Sequence, residues 1–127
     1  MQNRRVHNWV LPADRWAAGK ATRRVLEAVR SWGYTSPRDT AIEDTVHLLV
    51  GATVADQGKR ISIHLADQND LVLVLVLSHT AAEPDEDVLT QLAAVPGTTS
   101  CGTESGTEGR RVWALLETTP PRRTSAA

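Results

Sequence analysis

Hydrophobic positions along the chain follow two periods, and the switches between them mark the elements. Val6 to Leu11 reads as a short strand closed by Pro12, which has no N–H to give to a ladder. Asp14 then supplies an N-cap or first-turn acid for a helix over Arg15 to Trp32. Within it Ala17, Ala21, Val25, Ala28, Val29 and Trp32 recur every three or four residues, while Arg23, Glu27 and Arg30 gather on the opposite side. Gly33 ends it as a C-cap. A second helix starts with Ser36 as cap, Pro37 in the first helical position and Asp39 in the first turn. Its buried stripe is Ile42, Val46, Leu49, Val50, Thr53 and Val54, widened by Leu48, and it runs out at Gly58.

The period then shortens to two. Arg60 to Ala66 alternates Ile61, Ile63 and Leu65 with Ser62 and His64. Asp67-Gln68-Asn69-Asp70 is a polar turn, so this strand and the next form an antiparallel hairpin. Leu71 to Leu77 is apolar on both faces. Such a strand is central and covered on both sides, or covered on one side and dimerised on the other. Asp85 to Val95 reads as a short helix with an acidic start, and Arg111 to Glu117 as the last strand. The Thr-, Ser- and Gly-rich stretch between them, Pro96 to Gly109, holds at most one short strand. The order β-α-α-β-β-α-(β)-β predicts an α/β (α+β) fold: a two-layer sandwich with helices on one face of a mixed, mostly antiparallel sheet. A single domain spans residues 1–117, with a flexible tail at 118–127.

Composition narrows the classes of function. The chain has 127 residues, 41% hydrophobic and 23% charged, which suits one folded domain. With four Trp, one Tyr and no Phe, its core rests on Leu, Val, Ile and Ala. A net charge of −1 gives no general attraction for nucleic acid or an anionic membrane. Cys101 is the single cysteine, so an intrachain disulfide and multi-cysteine metal sites are excluded. The amino terminus lacks the apolar core of a secretory signal, and the longest apolar run is far too short to span a bilayer. A cytoplasmic protein is expected. The four histidines show no metal-ligand spacing and read as solvated or hydrogen-bonded side chains. The glycines of TTSCGTESGTEG precede a strand and lack the Lys-Ser/Thr ending of a phosphate loop, so they read as a hairpin connection.

Three strings carry a resemblance. WVLPADRWAAGKATRRVLEAVRSWG, LLVGATVADQG and GRRVWALLE, in that order, resemble the opening strand and helix, the core helix and the closing strand of the histidine-kinase-like (GHKL) ATPases. The branch resembled is the anti-sigma-factor serine kinases and their actinobacterial relatives, over residues 6–117. The resemblance implies an ATP site at three places, and the chain departs from the pattern at each. Where the family's core helix carries a general-base Glu and, four residues on, a metal-holding Asn, this chain has Ala52 and Asp56. Alanine cannot take a proton, whereas Asp56 still offers oxygen. Where a strand end carries an adenine-binding Asp, this chain has Ser78, a weaker acceptor than a carboxylate. The lid and its Gly-rich turn shrink to Ala81–Asp87, without glycine and with Glu83, Asp85, Glu86 and Asp87, which would repel polyphosphate.

A non-catalytic regulatory module follows: a pseudokinase-like scaffold with no catalytic residue, no cofactor and no metal. Its expected partner is a protein, namely a sigma factor, an anti-sigma antagonist or a small DNA-binding regulator. Direct binding of nucleic acid or membrane is not expected, and a homodimer is possible. The basic face of the first helix, Arg23, Arg24, Glu27 and Arg30, is the candidate partner surface, since the resemblance gives this helix and the first strand a part in partner binding and dimerisation. An ATP-binding serine/threonine kinase using unusual residues is the alternative. A third reading, another small ligand in the vacated site, calls for a cavity lined by Ala52, Asp56 and Ser78.

Overall fold

The computed structural model describes residues 5–55, 58–79, 86–107 and 109–118. Strand β1 (Val6–Pro12) leads into helix α1 (Ala17–Ser31) and helix α2 (Asp39–Val54). Strands β2 (Arg60–Asp67) and β3 (Leu71–Ser78), helix α3 (Glu86–Ala93), and strands β4 (Thr98–Gly106) and β5 (Gly109–Glu117) complete the chain. The five strands form one sheet in the order β1-β2-β3-β5-β4, and every described pair is antiparallel. The helices cover one face. This is the two-layer α+β sandwich that the periodicity predicts, with β3 in the middle of the sheet. No helix of the described residues is long and apolar enough to cross a membrane.

The layers are held by two apolar faces that meet. Ile61, Ile63 and Leu65 of β2, Val72, Val74 and Val76 of β3, and Val112, Ala114 and Leu116 of β5 all point at the helices and are almost wholly buried. Against them lie Val25 and Val29 of α1, Ile42, Val46, Leu49 and Val50 of α2, and Leu92 of α3. Each fully buried aliphatic side chain is worth about 1.5–3 kcal/mol.

Local chemistry sets the ends. Gly33 takes φ +90° just beyond α1, a conformation free of cost for glycine. Asp14 does not cap α1; its carboxylate accepts from the Trp16 amide at 2.9 Å and shapes the turn before the helix. The start of α2 also differs from expectation. Arg38, in extended conformation, holds the cap position, and Ser36 and Pro37 lie outside the helix. The reason is Arg30, whose guanidinium donates to the carbonyls of Tyr34 (3.0 Å) and Pro37 (2.7 Å) and pairs with Asp39. That tie holds the connection extended for two residues more. Between β2 and β3, Asn69 and Asp70 both have positive φ, 51° and 69°, the signature of a two-residue type I′ turn.

Two further expectations need correction. Pro96 to Gly109 contains a nine-residue strand, β4, rather than at most a short one. It lies at the sheet edge with most residues open to water, so Thr and Ser serve it and no apolar alternation marks it. Thr118 is not part of a loose tail: it is 3% exposed, and its amide and hydroxyl both bond the Asp70 carbonyl, at 3.0 and 2.6 Å. The rest of the expected tail lies outside the described residues.

Candidate functional site

Two of the positions implied by the resemblance, Ala52 and Ser78, lie at one end of the sandwich, where α2 finishes beside the ends of β3 and β5. Ala52 lies in the last turn of α2 and is 8% exposed. Ser78 ends β3 and is 1% exposed, directly opposite Arg110 in the β3–β5 register. Asp56 lies outside the described residues, as do residues 81–85 of the expected lid remnant, Ala81–Asp87. Asp87 is exposed on α3.

The residue that organises this corner is one that sequence reading missed. Arg110 is 3% exposed, and its Nη2 donates to the Ala52 carbonyl at 2.8 Å, across 58 residues of chain. Carbonyls in the last turn of a helix lose their partners along the axis and carry the negative end of its dipole. The last turn of α2 has no basic residue of its own, so β5 supplies the cation. Arg110 and Ser78 each have a further interaction as well. Gly109 makes the approach possible. At φ +128° its would-be Cβ would lie 1.8 Å from the Ser78 carbonyl oxygen, so no side chain fits between these strand ends.

Ala52 contributes only a carbonyl, and that carbonyl is engaged. Clefts of about 420 Å³ (between α2 and α3, near His47 and Gln91), 390 Å³ (at the start of α2, near Arg38 and Glu117) and 260 Å³ (at the β4–β5 turn) open elsewhere, and neither Ala52 nor Ser78 lines any of them.

On α1, Arg23 and Glu27 are exposed opposite the buried stripe, as the periodicity predicts, with Arg24 exposed beside them. Arg30, expected to be part of the same exposed basic face, is instead half-buried and committed to the α1–α2 connection. The large exposed apolar side chains lie near the same end of the chain: Val6 at 41%, Val10 at 59% and Trp16 at 57%. The Arg15 guanidinium stacks 4.4 Å above the Trp16 ring. His7 is stacked between Trp9 and Trp32, with centroids 5.4 and 5.8 Å away, and closes the seam between β1 and α1. Cys101 is half-buried on β4 with its thiol directed at the Leu89 carbonyl, 3.6 Å away. Compared with known proteins, the chain matches no family model and no curated sequence.

Proposed function

We propose that the chain is a non-catalytic regulatory module that acts by binding another protein, on a scaffold of the histidine-kinase-like ATPase type whose nucleotide site has been given up. The observation that carries this reading is the Arg110–Ala52 bond: at the helix end where the resemblance calls for a base, the protein's own cation is bound to a backbone carbonyl. In the described part of this corner, a buried arginine bound to a helix-end carbonyl supports loss of chemistry rather than substitution of one catalytic residue for another. The resemblance directs the search for a partner to a sigma factor, an anti-sigma antagonist or a small DNA-binding regulator in the cytoplasm. The exposed set Arg23, Arg24 and Glu27, with Trp16 near the start of the same helix, is the surface offered to it; Arg and Trp are the residue types that most often anchor such contacts.

Two measurements test this. Thermal melting with millimolar Mg-ATP and Mg-ADP is expected to leave the midpoint unmoved. A nucleotide at about 100 times its dissociation constant would add ~2.7 kcal/mol and raise the midpoint by roughly 5–15 °C, and such a shift refutes the reading in favour of a kinase. Capture of partners from native cells with the wild-type chain and with R23E/R24E is expected to recover a protein that the variant loses. Equal recovery by both removes α1 from the interface.

A further inference from the structure

The cleft at the start of α2 draws its walls from separate parts of the chain, held by contacts of their own. Pro37, just before the helix, has its carbonyl fixed by the Arg30 guanidinium at 2.7 Å. Ala41 belongs to the first turns of α2 and is buried. Pro96 and Gly97 enter from the turn between α3 and β4, where the Gly97 carbonyl accepts from the Glu117 amide at 2.8 Å. The enclosed space is about 390 Å³, within the roughly 300–1,000 Å³ usual for small-molecule sites. Because these walls are already tied in place, a ligand loses little affinity to ordering them.

Three charged side chains line the same cleft: Arg38, Asp44 and Glu117. All three are exposed, and among the described residues none makes an ion pair or a side-chain hydrogen bond. Elsewhere the fold pairs such groups, Arg5 with Asp67, Arg30 with Asp39 and Arg111 with Glu104. Here the backbone sets them apart. Arg38 precedes α2, Asp44 lies six residues on, roughly 9 Å along the helix axis, and Glu117 comes from the end of β5. Opposite charges that line one cleft without meeting leave a gap that a ligand bearing both signs can bridge. Each such contact would be a charge-assisted hydrogen bond, the stronger kind.

We propose that this cleft binds a free basic amino acid of the lysine, ornithine or arginine type. One cation and two carboxylates in the site answer one carboxylate and two cations in the ligand. Arg38 takes the ligand carboxylate, which a guanidinium can hold through two parallel bonds. Asp44 and Glu117 take the α-ammonium and the side-chain cation, and the methylene stem lies against Pro37, Ala41 and Pro96. An acidic amino acid would set carboxylate against carboxylate, and an aliphatic one would leave one acid unanswered. The site is separate from the α1 surface and from the Arg110 corner, so it stands or falls independently of the function proposed above.

Calorimetric titration of the full chain with L-lysine, L-ornithine and L-arginine, each to about 10 mM, tests the proposal. At least one is expected to bind at a single site with a dissociation constant below about 1 mM. L-norleucine, which keeps the stem and lacks the side-chain ammonium, is expected to bind at least about tenfold more weakly. Arg38→Gln, at an exposed position whose side chain caps nothing, is expected to weaken binding by a similar factor. One of Asp44→Asn and Glu117→Gln is expected to abolish the preference over norleucine, which identifies the carboxylate that takes the side-chain cation. No binding by any of the three amino acids overturns the proposal, as does equal binding of norleucine or an R38Q protein that binds as the wild type does. Equal binding of Nα-acetyl-lysine, which lacks the α-ammonium, overturns it in favour of a peptide end.

Discussion

Replacing Arg110 by methionine tests the corner on which the functional reading rests. Methionine keeps an unbranched side chain of similar reach and removes only the guanidinium. The bond to the Ala52 carbonyl, from a charged donor and 2.8 Å long, is worth about 1.5–3 kcal/mol. Attraction between the cation and the carboxyl-terminal end of α2 adds up to about 1 kcal/mol. Against this, methionine relieves the cost of holding an ion out of water. The balance falls on the side of loss, because the buried carbonyl stays behind without its donor. We expect a net loss of about 2 kcal/mol, lowering the melting midpoint by roughly 5–10 °C in a domain of this size. Arg110→Lys keeps the charge and should recover about half. Urea unfolding at neutral pH followed by circular dichroism measures both, and an unchanged m-value shows that the native and unfolded states are otherwise alike. An R110M protein within ~0.5 kcal/mol of wild type, or more stable than it, would refute the argument that this cation completes the helix end.

Two further outcomes follow from other contacts. Gly109→Ala forces a Cβ against the Ser78 carbonyl at a backbone φ that alanine disfavours, so a loss of at least ~2 kcal/mol is expected in the same assay, and a neutral substitution would contradict the strand-end geometry. The Tyr34 hydroxyl donates to Asp67 at 2.7 Å, and that bond to a carboxylate, with burial and the carboxylate's charge, holds its pKa above the ordinary value of 10.0. A raised pKa means the contribution is complete below pH 10 and is lost as pH rises through the folded-state value. Tyr34→Phe is therefore expected to cost about 1 kcal/mol at pH 7, with the gap to wild type closing above pH 10; a gap constant to pH 11 would sink this assignment.

Much of the fold is legible in the sequence because its signals are local. The apolar spacing of α1, the alternation of β2 and the doubly apolar β3 each follow from which neighbours the element must cover. β4 escaped because an edge strand open to water has no hydrophobic period to show, and its Thr, Ser and Gly are also the residues of loops. The start of α2 escaped because it depends on Arg30, a side chain from another helix that reads in sequence as one more surface cation. Arg110 escaped for the same reason: nothing in GRRVWALLE separates the buried arginine from Arg111 beside it except strand parity, and parity needs the sheet's two faces to be known. At the candidate site, the absence of a base was visible in Ala52, but the group that occupies its carbonyl was not.

The alternation of leucine and valine in β3 has a cost of its own. In most strands a slip of one residue turns polar groups into the core and is rejected at once. Here a slip would exchange one apolar set for another, so polarity gives β3 almost no protection against misalignment. The safeguard has to come from its two ends: the tight Asn69–Asp70 reversal, which ties β3 to β2 at a single offset, and the close fit of Gly109 over the Ser78 carbonyl, which leaves β5 one position. A strand that is permissive along its length is thus indexed by left-handed backbone at both ends, Asn69 and Asp70 before it and Gly109 of β5 against its far end.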